Sequence, residues 1–423
     1  MGWFGSARKG RFVSAAILTQ STLIQPLWNP VPRPNTSEPT INQRSMAAVH
    51  PGSSLLQQPR GAGRIAISLG DPAGIGAEVT LKALAISPPE PGSVVLVGCR
   101  RWLDDQHRRL ASLSVGPLAD PAELTVLDLP LEAPVQPGES GAAAGEAGFR
   151  WLTRAAELVL ENQCDALVTA PIAKASWHLA GHAYPGQTER LAELAGVAEA
   201  SMLFTARSPA GDWRLNTLLA TTHIPLAAVP GTLTPERVHA KLDVLLSFCR
   251  RFRSQPRLVV AGLNPHAGEE GRLGREERDW LIPCLEAWRS EHSDVVLEGP
   301  LPPDTCWLTA AAAWRGQEQG PDGYLALYHD QGLIPVKLLA FDAAVNTSLG
   351  LPFLRTSPDH GTAFAIAGRG RARPDSMVAA IAAARELGWR APAAGLRPPG
   401  SSSGPDRTPP GFRSPQESPP LRH

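Results

Sequence analysis

Three histidines stand in one recurring setting, each just after an apolar run of the kind that forms a buried strand. They are His223 after residues 215–220, His266 after residues 258–263 and His329 after residues 324–327. Because ligands bind at the carboxyl ends of strands in open α/β sheets, the three imidazoles can converge on one point. Three imidazoles with open positions for water or substrate suit a catalytic divalent ion, zinc by ligand softness, with cobalt, nickel or manganese as alternatives.

The segment that begins at His329 carries further polar groups. Asp330 follows directly, and Lys337 lies eight residues after His329 as a natural partner for an anion. Gly332 and Pro335 are expected to break the chain, which puts His329 and Asp330 at the carboxyl end of the preceding strand. A single histidine at such a place is better explained by a local hydrogen bond. The recurrence of the setting is what favours a metal site.

Strand-like and helix-like segments alternate from residue 64 onward. Strands are predicted at residues 64–69, 93–98, 166–170, 215–221, 257–262 and 324–327. Helices are predicted up to residue 86 and over residues 143–161, 234–253, 275–290 and 375–387, with a further one capped by Thr188. Asn346 and Arg355 are expected in polar loops. The alternation favours an α/β fold with a substantial parallel sheet.

The first predicted strand runs into the glycine-rich turn of residues 70–78, and a helix follows. Small residues there would let a ligand approach backbone N–H groups at a helix start. The spacing is not G-x-G-x-x-G, so the turn fits either a phosphate or nucleotide cradle or a plain tight connection between strand and helix.

Composition narrows the class of protein. The chain has 423 residues, 43% of them hydrophobic and 19% charged, which predicts an ordered core. Lys and Arg number 40 and Asp and Glu also number 40, so no nucleic-acid partner is indicated. No apolar stretch reaches the roughly 18 residues of a membrane helix. The five scattered cysteines include no C-x-x-C pair, which fits free thiols in a reducing cytoplasm.

Both ends of the chain differ in composition from the middle. Residues 1–62 are rich in Pro, Ser, Asn and Gln, and residues 391–423 are rich in Pro, Gly and Ser. Such segments bury too little apolar surface to order themselves, so we expect a disordered leader and a disordered tail around an enzyme body at residues 63–390. A transit peptide, or a true start nearer Met46, are the alternatives for the leader.

Residues 64–390 resemble the 4-hydroxythreonine-4-phosphate dehydrogenase family of vitamin B6 biosynthesis. The motifs that carry the resemblance are Gly-Asp-Pro-Ala-Gly-Ile-Gly at 70–76, Thr-Thr-His-Ile-Pro at 221–225, Asn-Pro-His-Ala-Gly-Glu at 264–269, Gly-Pro-Leu-Pro-Pro-Asp-Thr at 299–305, His-Asp-Gln-Gly at 329–332 and Asp-His-Gly-Thr-Ala at 359–363. Asn346 and Arg355-Thr356-Ser357 extend the match. So many motifs in order make the resemblance specific.

The resemblance implies a fold like isocitrate and isopropylmalate dehydrogenases, with two α/β subdomains, a cleft between them and a homodimer whose active site lies near the interface. It implies NAD, with NADP possible, and one divalent ion (zinc, cobalt or magnesium) on His223, His266 and His329. The small phosphorylated substrate would contact Gln187, Thr188, Lys337, Asn346 and Arg355. The cofactor would contact Asp359, His360, Gly361, Thr362, Gly368 and Gly370.

One position departs from the family pattern, since Gln187 stands where a histidine is expected. An amide can hydrogen-bond a substrate oxygen. Near neutral pH, however, it neither takes up nor releases a proton, and it carries no positive charge. For the proton of the substrate hydroxyl, Asp330 and Lys174 are the candidates by chemistry. Alternatives to this dehydrogenase are a paralogue acting on a phosphorylated four-carbon sugar acid or a cyclic dihydrodiol, and a non-catalytic binding protein of the same fold.

Overall fold

The computed structural model describes residues 63–388. The predicted leader at residues 1–62 and the predicted tail at residues 391–423 lie outside the described residues, so the domain boundaries stay predictions. Among residues 63–388, no helix is both long and apolar enough to cross a membrane.

Within residues 63–388, eleven strands form a single sheet in the order β3-β2-β1-β4-β11-β10-β5-β6-β9-β7-β8. The strands are β1 Ile65–Ser68, β2 Val94–Gly98, β3 Thr125–Asp128, β4 Ala166–Thr169, β5 Ser201–Arg207, β6 Arg214–Leu219, β7 Arg257–Ala261, β8 Val296–Leu301, β9 Gly323–Ala326, β10 Val345–Leu349 and β11 Leu354–Pro358. Strands β1, β2, β4 and β9 are buried along their whole length. Their largely apolar sequences are typical of strands covered on both faces.

Eleven α-helices accompany the sheet in the described part of the chain. They are α1 Gly76–Ile86, α2 Arg100–Ser112, α3 Ala142–Leu160, α4 Lys174–Leu179, α5 Gln187–Leu194, α6 Val229–Thr232, α7 Pro235–Cys249, α8 Ile282–Glu291, α9 Leu308–Trp314, α10 His329–Ala340 and α11 Asp375–Gly388. The α/β fold predicted from the sequence is confirmed, and the six predicted strands are present as β1, β2, β4, β6, β7 and β9.

The sheet contains two parallel groups that run in opposite directions. One group is β1, β2, β3, β4 and β11, and the other is β6, β7, β8 and β9. Strands β10 and β5 lie between them with antiparallel neighbours on both sides. Mixed sheets of this kind are common among large α/β proteins.

Three local predictions were wrong. The chain does not break at Gly332 and Pro335, because α10 runs through both, and a Cβ at Gly332 would come within 2.6 Å of Leu219 Cδ2. That close packing on β6 shows how tertiary contacts override the local signals. Helix α5 begins at Gln187 with Gly186 before it, so Thr188 is not the cap.

Asn346 and Arg355 lie on β10 and β11 rather than in loops. These strands are polar, and cross-strand pairing rather than an apolar pattern defines them. The predicted cap at Thr234 is confirmed, since its hydroxyl accepts a hydrogen bond from Arg237 N at 3.2 Å.

Candidate active site

The three histidine turns lie at one edge of the sheet. Strands β6, β9 and β7 are neighbours and parallel, so their carboxyl ends meet at the same edge. His223 follows β6, His329 opens α10 directly after β9, and His266 follows β7. The order of the strands along the sequence does not predict this arrangement. In the sheet, β9 lies between β6 and β7, although it follows both in the sequence.

His223 and His329 form a close pair, with ring centroids 5.3 Å apart. Burial lowers the pKa of His223, and the positive charges of His329 and Lys174 lower it further, while Glu189 acts in the opposite direction. The neutral imidazole, the form that ligates metal ions, is thereby favoured at His223.

Asp330 orients the ring of His329. The Nδ1–H of His329 donates to Asp330 Oδ1 at 2.7 Å, which leaves Nε2 as the ring atom with a free lone pair. A carboxylate behind a ligating histidine is the usual outer partner in protein metal sites, because it fixes both tautomer and ring direction. Asp330 is thus placed to support His329.

His266 is not part of this pair. It lies in the turn Pro265–Gly271, where five consecutive residues, 266–270, have positive φ angles. The His266 side chain is 64% exposed, and the Glu269 carboxylate is 3.9 Å from its Nδ1. Among residues 63–388, no three His, Cys, Asp or Glu side chains are grouped as a metal site. The structure therefore brings two of the three predicted ligands close together, and the metal site as a whole stays a prediction.

Lys337 joins the substrate and cofactor groups predicted from the sequence. Its ammonium donates to Asp359 Oδ2 at 2.6 Å, and its side chain is 40% exposed. Lys337 lies on α10, eight residues after His329, whereas Asp359 follows β11. This contact therefore joins the helix that follows β9, in one parallel group of strands, to the loop that follows β11, in the other group.

Arg355 lies buried beside β4 and β10. Its guanidinium donates to Thr169 Oγ1 at 2.7 and 3.0 Å and to Ser348 Oγ at 3.2 Å. Burial lowers the pKa of Arg355 to about 10, with Glu189 acting in the opposite direction, so the group stays charged at neutral pH. Asn346 is two residues before Ser348 on β10, so it faces the same side of the sheet.

Gln187 presents an unused hydrogen-bond acceptor. Its Nε2 donates to Ala170 O at 3.2 Å, while its Oε1 is buried and has no hydrogen-bond partner among the described residues. A buried polar atom of this kind calls for a donor that arrives with a ligand or with water. Thr188 is the next residue of α5 and is half-buried.

The predicted cofactor loop packs on the glycine-rich turn after β1. Ile75 N donates to Thr362 O at 3.1 Å, and a Cβ at Gly74 would come within 3.0 Å of Thr362 Cβ. A Cβ at Gly361 would meet nothing within 4 Å, so space is open there. His360 Nδ1 bonds to Gly361 O at 3.0 Å. The loop at residues 359–363 and the glycine-rich turn at residues 70–78 are thus in direct contact.

A buried ion pair anchors the second part of this loop. Lys82 Nζ donates to Glu78 Oε1 at 2.7 Å, to Gly370 O at 2.9 Å and to Ala372 O at 2.8 Å. Gly368 and Gly370 have φ angles of +66° and +71°, a region that favours glycine. The sequence did not predict the contacts of Lys82 and Glu78. Both residues belong to an ordinary helical pattern, and the loop that they contact is distant in the sequence.

Asp71, in the motif at residues 70–76, is a further polar group that the sequence did not predict as a site residue. The carboxylate is buried and its Oδ1 accepts from Ala73 N at 2.8 Å. Burial raises the pKa of Asp71, while hydrogen bonds from Ser176 and from backbone N–H groups oppose that rise. Its signal in the sequence was the acidic residue within a turn of small residues.

Comparisons with known proteins agree with the motifs. Residues 91–384 match the model of the family described as pyridoxal phosphate biosynthetic protein PdxA. The 4-hydroxythreonine-4-phosphate dehydrogenase of Synechococcus sp. (strain RCC307) is 64% identical over 328 residues, 77% of this chain and 99% of that protein. The D-threonate 4-phosphate dehydrogenase of Pectobacterium atrosepticum is 40% identical over 76% of this chain and 98% of that protein.

A solved structure agrees as well. The crystal structure of 4-hydroxythreonine-4-phosphate dehydrogenase from Klebsiella pneumoniae is 40% identical, with a TM-score of 0.68 over 78% of this chain and 100% of that one.

Proposed function

Since the chain belongs to the family of the pyridoxal phosphate biosynthetic protein PdxA, we propose that it is a dehydrogenase that oxidises 4-hydroxythreonine 4-phosphate. The observation that carries this is the 64% identity to a 4-hydroxythreonine-4-phosphate dehydrogenase across 99% of its length. The immediate product is 2-amino-3-oxo-4-phosphooxybutanoate. As a 3-oxo acid it loses CO₂ to give 3-amino-2-oxopropyl phosphate, a precursor of pyridoxine 5'-phosphate.

A nicotinamide cofactor, NAD or NADP, supplies the hydride acceptor. Its proposed contacts are Asp359, His360, Gly361, Thr362, Gly368 and Gly370. The support is structural: this loop packs on the glycine-rich turn, leaves open space at Gly361 and is anchored by Lys82.

A divalent ion, zinc, cobalt or magnesium, would be held by His223 and His329, with His266 as the proposed third ligand. When bound it supplies Lewis acidity that polarises the alcohol and the carbonyl that replaces it. The support is the 5.3 Å separation of the two rings and the contact of Asp330 with His329.

The chain's own cations hold the anionic ends of the substrate. Lys337 and Arg355 supply positive charge, and Asn346, Gln187 and Thr188 supply neutral hydrogen-bonding groups. Lys174 is the better placed of the two proposed proton acceptors. The Asp330 carboxylate is already engaged by His329 Nδ1, whereas Lys174 is exposed at the start of α4 and would accept the proton as the neutral amine.

Turnover assays that follow NADH absorbance test the assignment. The panel is 4-hydroxythreonine 4-phosphate, D-threonate 4-phosphate and a cyclic dihydrodiol, each with NAD and with NADP. We expect the highest kcat/KM for 4-hydroxythreonine 4-phosphate. A higher value for D-threonate 4-phosphate, the substrate named for the 40% identical relative, would replace the proposed substrate. No turnover with any of them would favour a binding protein of the same fold.

We further propose a homodimer with the active site near its interface, in the cytoplasm. The support is an apolar face of α10 and its end, where Ile334, Leu338 and Phe341 are 58%, 81% and 65% exposed. The same helix carries His329 and Lys337, so a second copy seated on this face would adjoin the site. The five cysteines all lie within residues 63–388, where they are buried and form no disulfide, which suits a reducing compartment.

Leu338→Glu should convert the dimer to a monomer in size-exclusion chromatography with light scattering. A charge placed on the most exposed apolar residue of the face must be desolvated for a second copy to bind there. Ile86→Glu is the control, because Ile86 is 60% exposed at the end of α1 and not on this face. A dimer that survives Leu338→Glu unchanged would place the interface elsewhere.

Gln187→His should change kcat/KM for 4-hydroxythreonine 4-phosphate by less than about tenfold. One neutral hydrogen bond is worth about 0.5–1.5 kcal/mol, and Lys337 and Arg355 already supply fixed charge. The measurement is kcat/KM of both proteins from about pH 5.5 to 9, which brackets the usual imidazole pKa. A larger gain confined to acidic pH would mean that the position must carry charge and that the native substrate differs.

A further inference from the structure

A chain of buried hydrogen bonds joins the three strand ends that lead to the histidines. Thr221 Oγ1 donates to Leu327 O at 2.8 Å. Leu327 N donates to Gln331 Oε1 at 2.7 Å, and Gln331 Nε2 donates to Gly262 O at 2.6 Å. Thr221 and Gln331 are only 4% and 6% exposed, so water does not compete for these bonds.

Each end of this chain is close to one histidine along the sequence. Thr221 precedes His223 by two residues, Leu327 precedes His329 by two, and Gly262 precedes His266 by four. The Gln331 side chain therefore links the β9 turn directly to the β7 turn, and the Leu327 peptide extends the link to the β6 turn. No other residue of the described chain is needed to connect the three.

The two hydrogen bonds of Gln331 suit an amide side chain. The side chain must accept a hydrogen bond at one atom and donate one at another, and an amide does both. An ionised carboxylate can only accept, and a thioether is only a weak acceptor. The space is also restricted, since a Cβ at the neighbouring Gly332 would come within 2.6 Å of Leu219 Cδ2 and 2.9 Å of Ala326 Cβ. The amide thus lies in a closely packed contact of α10 with β6 and β9.

The β7 turn is held from a second side by Glu277. Its Oε1 accepts from Leu263 N at 2.8 Å and from Asn264 N at 2.7 Å, and its Oε2 accepts from Asn264 Nδ2 at 2.9 Å. Glu277 opens a π-helical turn, Glu277–Leu281, just before α8. Glu277 thereby holds the shape of the turn at residues 263–264, and the Gln331 bond to Gly262 O links that turn to α10.

We propose that Gln331 is a positioning residue that sets the relative placement of the three histidine turns and so tunes their affinity for a divalent ion. This rests on the proposed metal site for its consequence, but the placement itself is a property of the metal-free chain. Gln331→Met removes the donor and retains volume, and Gln331→Glu removes the donor and adds charge.

Two measurements test the proposal. The first is the imidazole ¹H–¹⁵N spectrum of metal-free protein, with His223 and His329 assigned through His223→Gln and His329→Gln. The second is titration of chelator-treated protein with Co²⁺, followed by visible absorption. Both Gln331 variants should shift the two imidazole resonances, weaken Co²⁺ binding by about 10- to 100-fold and alter the absorption envelope, since outer partners of ligating histidines have effects of that size.

Asn216→Asp is the matched control. Asn216 is also a buried amide on this half of the sheet, accepting from Thr205 Oγ1 at 2.6 Å and donating to Asp322 O at 2.8 Å. It lies toward the amino end of β6, away from the histidine turns. A general loss of stability should lower the Tm of Asn216→Asp as much as that of the Gln331 variants, while its imidazole spectrum and Co²⁺ affinity stay unchanged.

Imidazole resonances that move no more in the Gln331 variants than in Asn216→Asp would overturn the positioning role. If the resonances move but the unaltered protein binds no Co²⁺, the positioning role stands and the metal part of the proposed function fails. If the resonances move while the protein and both variants bind Co²⁺ equally well, the tuning of affinity is refuted.

Discussion

His329→Ala should lower kcat/KM for 4-hydroxythreonine 4-phosphate by at least about a thousandfold. Lewis-acid stabilisation of a developing alkoxide is worth several kcal/mol, and each 1.36 kcal/mol is a factor of ten in rate. His223→Ala should have an effect of the same size, because the two rings form the pair that we propose to hold the ion. A chelator should abolish activity of the unaltered protein, and zinc, cobalt or magnesium should restore it.

His266→Ala separates two forms of the site. The side chain is 64% exposed, so its removal should leave the Tm unchanged. A thousandfold loss of activity would make His266 the third ligand, and a loss below tenfold would leave the ion on two histidines. His107→Ala, on α2, is the control for histidine removal elsewhere. Full activity of His329→Ala in the presence of chelator would contradict the metal assignment altogether.

Lys337→Met should raise the KM for the phosphorylated substrate by about 10- to 100-fold with a smaller change in kcat. A hydrogen bond to a charged group is worth about 1.5–3 kcal/mol, and interactions made equally in ground and transition states appear mainly in KM. Steady-state kinetics with the substrate and the cofactor varied in turn measure the two KM values separately.

The ion pair with Asp359 offers a second explanation that the same kinetics can separate. If Lys337 only holds Asp359 in the cofactor loop, Lys337→Met raises the KM for NAD and has no further effect in an Asp359→Asn background. If Lys337 binds the substrate anion, the rise in substrate KM is the same in both backgrounds. We expect the second result, because the Lys337 side chain is 40% exposed and available to a ligand.

The sequence predicts well where the strands before the three histidines end. It predicts poorly which strands lie next to each other in the sheet. His223, His266 and His329 each follow an apolar run that becomes a real strand, since burial on both faces leaves a strong local signal. The insertion of β9 between β6 and β7 is a property of the whole sheet and has no local signal.

Other misses have physical causes of the same kind. Residues 266–270 all have positive φ angles, and four of the five are not glycine. The residue types therefore do not predict this conformation. Helix α10 passes through Pro335 because packing of Gly332 on β6 outweighs the local preference. Lys82 and Gly370, 288 positions apart, meet only once the fold is complete.

The order of strands in the sheet also fixes the order in which the chain can assemble during synthesis. Strands β1 to β4 can pair as soon as residues 65–169 have left the ribosome, and β5 and β6 can form a hairpin-like pair soon after. Within residues 63–388, β10 and β11 alone connect these two groups, and they are the last strands of that part of the chain to be made. Contacts of such long sequence separation are slow to form, so the nascent protein waits with two open sheet edges, where it is exposed to aggregation and to chaperones until its last fifth is synthesised.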